Sequence, residues 1–182
     1  MIELVVVIAV LVIVAGIAVG KLEGTQDHAG RTTTEATLRS VQLAIIGTPA
    51  DPGYESDTRE MPREIEDLFV VPTHLPLHMQ SFDQVAKKGW NGPYLQPTGA
   101  RAAVAGPIAG ALETVPAVLD GWRNPISLQR PDPDGEYWRV VSAGPNGTIE
   151  TSPFAWKLDP FDSSHVGDDI VLFLTWIPES GA

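Results

Sequence analysis

The chain begins with a run of apolar residues that no charged residue interrupts. Residues 4–19 read LVVVIAVLVIVAGIAV, and only Gly16 is not hydrophobic. Sixteen helical residues at about 1.5 Å each extend for about 24 Å, whereas the bilayer core is about 30 Å thick. A core strand does not run this long, so the pattern predicts that residues 1–20 form a membrane-spanning helix. A secretory signal peptide is the rival interpretation, although no basic segment precedes the run.

A second helical pattern follows at residues 31–46, RTTTEATLRSVQLAII. Leu38, Val41 and Ile45 fall on one helix face at spacings of three and four, which is typical of a helix that covers a sheet. We therefore expect residues 21–47 to continue the first helix. The sequence GTP at residues 47–49 should end it.

The rest of the chain, residues 48–182, has the pattern of a loop-rich globular head. Residues 126–129 and 137–142 alternate as strands and should pair across the turn PDPDG at residues 131–135, and residues 170–176 form a last apolar strand. The predicted fold class is α+β. A long N-terminal helix, membrane-spanning in its first half, packs on a small antiparallel sheet with long loops.

Composition and charge exclude several classes of function. Twelve basic and 23 acidic residues give a formal net charge of −11, so a basic nucleic-acid-binding surface is not expected. The chain has no cysteine, which excludes disulfides, thiolate metal sites and thiol nucleophiles. The sequence shows no glycine-rich phosphate loop, nucleophile elbow or paired-carboxylate motif, so we expect the protein not to be an enzyme.

Two features of the N-terminal segment bear on association with other helices. Glu3 is an acid at the edge of an apolar run, where a carboxylate costs a few kcal/mol and usually has a partner. It either lies at the level of the lipid headgroups or meets a positive group on a neighbouring subunit. Gly16, Gly20 and Gly24 recur every four residues, a spacing that lets helix backbones approach closely or simply weakens the helix.

The sequence MIELVVVIAVL at residues 1–11 resembles the mature N-terminus of type IV pilins and type II secretion pseudopilins. Segments further along are similar to the major pseudopilin of type II secretion, although Gly121, Arg123 and Asn146 depart from its pattern. These segments are WNGPYL at residues 90–95, DGWRNP at 120–125, SAGPNG at 142–147 and DDI at 168–170.

The resemblance implies a pilin-like fold and a role as structural subunit of a type II secretion pseudopilus, a filament whose assembly drives the export of folded proteins. It implies that Glu3 pairs with the N-terminal amine of an adjacent subunit. The expected partners are further copies of the chain, other pseudopilins, the inner-membrane assembly platform, the prepilin peptidase and the membrane, with no nucleic acid. The expected location is the bacterial inner membrane, in a single pass, with the head in the periplasm and the assembled filament in the periplasm or outside the cell.

Two other functions stay open at this stage. The chain could be a type IV pilin or minor pilin of a surface fibre, or, in a different class, a membrane-anchored periplasmic ligand-binding domain.

The predicted loop at residues 143–170 collects oxygen-bearing side chains. Calcium prefers six to eight oxygen ligands at flexible spacing, and such a loop could close around the ion. The alternative is a solvated acidic loop rich in turn-forming residues. The major pseudopilin family binds calcium in this loop, which implies a Ca²⁺ cofactor here. The candidate ligands are Asn146, Asp162, Ser164, Asp168 and Asp169.

Two further groups of residues have structural interpretations. His74 and His78 have the spacing of a metal pair on a helix, but Pro76 between them favours two loop histidines. Trp90, Tyr94 and Trp122 stand beside glycine and proline, where aromatic side chains usually pin loops onto the core.

Overall fold

The protein, as described by a computed structural model, is an α+β chain in which one long helix carries a small head. The structure describes residues 2–102, 114–131, 137–152 and 167–174, and within the helix it describes no side chains for residues 14–25.

Helix α1 runs from Ile2 to Ile46 without interruption. In its second half, threonine and serine hydroxyls bond to the carbonyl four residues earlier; Thr34, for example, donates to the carbonyl of Gly30 at 2.8 Å. These bonds satisfy hydroxyl groups that otherwise compete with helical structure. The helix ends at Gly47, whose φ of +78° suits glycine and whose N–H bonds to the carbonyl of Leu43 at 2.7 Å.

The second half of α1 is the side of the helix that builds the core. Leu38, Val41 and Ile45 are each no more than 2 % exposed, as the spacing of apolar residues predicts. They pack with residues of helix α2, Tyr54–Thr58, and of the sheet described next. The core of the head therefore lies between the last four turns of α1 and the sheet.

The head contains two small antiparallel sheets in its described part. Strands β1, Gly99–Ala102, and β2, Thr114–Ala117, pair with each other. Strands β3, Ser127–Gln129, β4, Arg139–Ser142, and β5, Ile170–Phe173, form the second sheet in that order. Val140 and Val141 at its centre are fully buried. The β3, β4 and β5 positions agree with the predicted strands, whereas β1 and β2 are not predicted from the sequence.

Short 3₁₀ turns complete the head at Ile65–Leu68 and Leu77–Met79. The first is held by a reciprocal cap in which the side chains of Glu64 and Asp67 each accept a backbone N–H of the other residue.

The predicted membrane-spanning first half of α1 is wrong. Among the helices of the described chain, none combines the length and the apolar content that crossing a membrane requires. The physical reason is the length of the apolar run, which at about 24 Å stops short of a bilayer core of about 30 Å. The predicted single-pass location in the inner membrane depended on that span and is contradicted with it.

Candidate functional site

The first ten residues after Glu3 form an apolar surface that the rest of the described chain leaves open. Every side chain from residue 4 to residue 13 is exposed, and its nine large hydrophobic side chains are between 51 and 66 % exposed. We call residues 4–13 the apolar segment. Its exposure is not limited to one stripe, since neighbouring positions on all sides of the helix are equally open. Contiguous exposed apolar surface of this kind marks a site of interaction.

Glu3 lies in the first turn of α1 and is exposed. Within the part of the chain that the structure describes, it forms no ion pair or hydrogen bond. A carboxylate in this turn interacts favourably with the N-terminal end of the helix dipole. It also stands at the boundary of the apolar segment, where a cation from another molecule can reach it.

Gly16, Gly20 and Gly24 all lie within the continuous helical backbone of α1. Their spacing of four places them along one face of the helix. The side chains around them belong to residues 14–25, which are outside the described side chains.

The head is attached to α1 by a close contact that the sequence analysis missed. The indole of Trp122 packs so tightly on Gly30 that a Cβ atom there would lie 2.6 Å from the ring. Beside it, the N–H of Gly121 donates to the hydroxyl of Thr34 at 2.9 Å. The position of Trp122 beside glycine predicts that it pins a loop, but its contact with Gly30 of α1 is not predicted from the sequence.

Asp120 ties the segment at residues 120–125 to the segment at residues 142–147. Its Oδ1 accepts the backbone N–H groups of Trp122 and Asn124 at 2.9 and 2.8 Å, and its Oδ2 accepts the hydroxyl of Ser142 at 2.6 Å. The amide of Asn124 then donates to the carbonyl of Gly144 at 2.7 Å. Sequence analysis did not single out Asp120, although an Asp two residues before Trp and four before Asn is typical of such a turn.

The candidate calcium ligands divide into those that the structure describes and those that it does not. Asp162 and Ser164 lie outside the described residues. Asn146 is exposed, and it donates both its backbone N–H and its side-chain amide to Asp168, at 3.0 and 2.5 Å. Both carboxylate oxygens of Asp168 are therefore engaged by Asn146.

Asp169 is buried, with 7 % of its surface exposed. Among the described residues, only one of its carboxylate oxygens accepts hydrogen bonds. Its Oδ2 accepts the N–H of Glu150 at 2.8 Å, and the N–H and hydroxyl of Thr151 at 2.6 Å each. Its Oδ1 has no hydrogen-bond partner within the described part of the chain. An oxygen in that position fits a cation ligand, since a buried carboxylate oxygen without a partner is costly.

The described residues do not by themselves assemble a metal centre. No group of three or more His, Asp or Glu side chains within them could hold a metal ion. Calcium binding by Asp169, with ligands from the loop between residues 152 and 167, stays a prediction.

The fully buried guanidinium of Arg139 lies close enough to Asp169 for their charges to interact. Burial lowers the pKa of Arg139, and the negative charge of Asp169 opposes that shift. The guanidinium also donates to the side-chain oxygen of Gln129, from Nε at 2.9 Å and from one terminal nitrogen at 2.7 Å. Arg139 thus connects β4 with β3 and with the charge at the start of β5.

A second buried carboxylate, Asp57, stands in an aromatic environment. The hydroxyl of Tyr94 donates to Asp57 Oδ2 at 3.0 Å, and the ring of Tyr94 meets that of Tyr54 edge to face at 5.7 Å. Burial raises the pKa of Asp57, while the Tyr94 hydroxyl lowers it and the charge of Asp51 raises it further.

The aromatic and histidine candidates have structural roles in the described part of the chain. Trp90 donates its ring N–H to the carbonyl of Asp67 at 3.1 Å and packs on Tyr94, which pins the segment at residues 90–95 to the core. His74 precedes the 3₁₀ turn that contains His78, and its Nε2 faces Asp67 at 3.9 Å. The two histidines do not share a helix face.

No protein-family model, curated protein or solved structure matches this chain.

Proposed function

We propose that the chain is a structural subunit of a helical filament of the type IV pilin-like class, and specifically of a type II secretion pseudopilus. One observation carries the proposal. A single continuous helix is buried on one face against the head over its last four turns and is open on all sides over residues 4–13.

The apolar segment favours a bundle of helices as its cover. Burying one large apolar side chain stabilises by about 1.5–3 kcal/mol, so nine exposed side chains give a strong tendency to associate. A helix that is hydrophobic on all sides needs neighbours on all sides. A simple dimer would cover one stripe, whereas the core of a helical filament surrounds each helix with copies of itself.

Glu3 gives that bundle a fixed register in this proposal. Its carboxylate would pair with the N-terminal amine of an adjacent subunit, in surroundings made apolar by the bundle. Low dielectric strengthens such a pair and penalises a carboxylate that lacks its partner. Copies that are shifted along the bundle would leave Glu3 against apolar side chains and are therefore disfavoured.

The alternative filament is a type IV pilus, in which the chain would be a pilin or minor pilin and would use the same segment. The similarity of residues 90–95, 120–125 and 142–147 to the major pseudopilin favours the secretion filament. Its further partners would be other pseudopilins, the prepilin peptidase and the assembly platform. The third interpretation, an anchored ligand-binding domain, has no specific observation in its favour among the described residues.

Electron microscopy of the full chain co-expressed with a type II secretion assembly system tests the proposal. The wild-type chain should form filaments, and Ile8→Asp should form none, because a charge within the bundle has no partner. Val70→Asp is the matched control, since Val70 is an equally exposed hydrophobic residue of the head. The free energy of unfolding of both variants should lie within about 0.5 kcal/mol of the wild-type value. Filaments of Ile8→Asp in wild-type amounts, or a wild-type chain that stays monomeric, would contradict the proposal.

A further inference from the structure

The loop at residues 83–88, which we call the knob, projects an apolar side chain into solvent. Val85 is 94 % exposed, more than any other large hydrophobic residue among the described side chains. It touches little of its own subunit, so its position has no stabilising role in the isolated head.

The knob is nevertheless an ordered loop. The carboxylate of Asp83 accepts the N–H groups of Val85 and Ala86 at 2.7 and 3.0 Å, and the N–H of Asp83 bonds to the carbonyl of Lys88 at 2.7 Å. These backbone bonds hold the pKa of Asp83 below its usual value. The base of the knob is fixed to α2 by a bond of 2.9 Å from the N–H of Gly89 to the carbonyl of Asp57. A loop ordered in this way loses little entropy when it docks.

The knob also carries an unusual charge for this protein. Lys87 and Lys88 are the only two adjacent basic residues in a sequence with a net charge of −11. Both are exposed, and neither forms an ion pair within the described part of the chain. The knob therefore combines an apolar tip with a local positive charge.

A cleft with one exposed apolar residue and nearby acids lies where α1 meets α2. It has a volume of about 400 Å³ and is lined by Ile46, Glu55, Ser56 and Arg59. Ile46 is 40 % exposed, and Leu43, one turn earlier on α1, is 53 % exposed.

The surface around the cleft is acidic. Three exposed acids belong to the segment that lines the cleft or stand close to it in sequence, namely Asp51, Glu55 and Glu60, against one arginine, Arg59. Asp51, Glu55 and Glu60 are exposed and, within the described residues, have no ion-pair partner. Two lysines that approach this surface find three carboxylates that have no ion-pair partner among the described residues, beside a cleft whose one apolar lining residue is Ile46.

We infer that the knob of one subunit docks in the cleft of a neighbouring copy, as a contact between heads that adds to the bundle of helices. Val85 would lie on Ile46, with Lys87 and Lys88 directed to the acids of the rim. Every copy carries both surfaces, and the surfaces differ from each other, so the contact is heterologous. Heterologous contacts that do not close into a ring generate open helical arrays. This inference rests on the proposed filament function and names the second interface of that filament.

The absence of cysteine from the chain allows a direct cross-linking test. Ser56 lines the cleft and is small, so Ser56→Cys together with Val85→Cys places one thiol in the cleft and one on the knob. After mild oxidation, the full-length double variant should give a ladder of covalent multimers on a denaturing gel. Each single variant should stop at the dimer, because one thiol per subunit can join only two chains. Val85→Cys with Thr148→Cys, an exposed residue of neither surface, is the matched control.

A charge test examines the same contact independently. Lys87→Glu with Lys88→Glu should lower the fraction of chain that sediments as filaments by roughly five- to tenfold, since two exposed ion pairs become repulsions. Lys87→Arg with Lys88→Arg should assemble as wild type does. Adding Asp51→Lys and Glu55→Lys to the glutamate variant should recover most of the loss.

The outcomes separate this contact from the proposed function. Filaments without a ladder, and with no effect of the glutamate substitutions, would overturn the docking of the knob and leave the helix bundle intact. An oxidised double variant that runs as a monomer without free thiols would also overturn it. A wild-type chain that forms no filaments, together with a double cysteine variant that forms no ladder, would overturn both proposals.

Discussion

Glu3 is the residue to which the proposed filament assembly assigns one defined partner, the N-terminal amine of an adjacent subunit. It is exposed at the start of the apolar segment, and neither the core nor the loops depend on it. A substitution there should therefore separate assembly from folding.

Glu3→Ala should abolish incorporation into filaments while the unfolding free energy of the head changes by less than about 0.5 kcal/mol. The loss follows because the neighbouring amine would be left without its counter-charge in the bundle. Sedimentation of filaments after co-expression measures the first quantity, and thermal unfolding measures the second. Glu35→Ala is the control, because Glu35 is an exposed acid on the same helix whose ion pair with Arg31 is worth only about 0.3–0.5 kcal/mol. Normal assembly of Glu3→Ala would remove Glu3 from the proposal.

Asp57 makes the stability of the head depend on pH. Burial raises its pKa, so the folded state binds the proton more tightly than the unfolded state does. Its contribution to stability is full below the unfolded pKa and is lost as the pH rises through the folded pKa.

Asp57→Asn should therefore raise the melting temperature at pH 7, because the amide keeps an oxygen for the Tyr94 hydroxyl and carries no buried charge. The difference from wild type should shrink as the pH falls towards the unfolded pKa of an aspartate. Melting curves between pH 3 and pH 8 measure this. An equal difference at every pH would show that the buried charge is not its cause.

At the scale of elements, α1 does two different things along its length. Its second half contributes to the core of the head, and its first half offers the apolar segment to other molecules. Residues 4–19 are apolar almost throughout, whereas residues 31–46 are apolar mainly on the face that packs on the head.

Leu38 and Leu43 allow the contribution of the buried helix face to be tested within one helix, since their side chains are 2 % and 53 % exposed. Leu38→Ala should lower the unfolding free energy by about 2–5 kcal/mol, because it leaves a cavity between α1 and the sheet. Leu43→Ala should cost less than about 1 kcal/mol, since most of its side chain already faces solvent. Urea denaturation of the two variants gives both values. Equal costs would mean that α1 does not pack on the head as described.

At the scale of the whole molecule, the acidic loop joins β4, the central strand of the second sheet, to its neighbour β5. Asp169 directly precedes β5, and its carboxylate accepts hydrogen bonds from Glu150 and Thr151 in the segment that follows β4. A cation on its free Oδ1 would strengthen this link and would offset part of the negative charge of the head.

Calcium at about 100 times its dissociation constant should stabilise the folded protein by about 2.7 kcal/mol, or roughly 5–10 °C in melting temperature. Asp169→Asn should lose most of this shift, since the amide is a weaker calcium ligand. Glu64→Gln, an exposed acid outside the loop, should keep the shift. A wild-type melting temperature that does not respond to calcium would exclude the metal site.

The strength of local patterns decided how much of the fold was predictable. The 3.6-residue period of Leu38, Val41 and Ile45 predicts a buried helix face, and the alternation at residues 126–129 and 137–142 predicts paired strands, because both are properties of neighbouring residues. Strands β1 and β2 were missed because Ala, Gly and Pro carry little strand propensity, and only pairing with each other makes them strands.

The sequence by itself determined that this protein has a long helix with an apolar first part, an acidic head and no cysteine chemistry. Composition and periodicity can be read without knowing which distant residues meet. Only the tertiary structure decided which parts of that helix are covered, because burial depends on where the head folds back. It also decided that Asp168 and Asp169 bind different segments and that Asp120 joins two distant turns. The exposure of Val85 on the knob and of Ile46 in the cleft is likewise a property of the folded chain. Those contacts and exposures depend on residues far apart in the chain, so the periodicity of neighbouring residues cannot predict them.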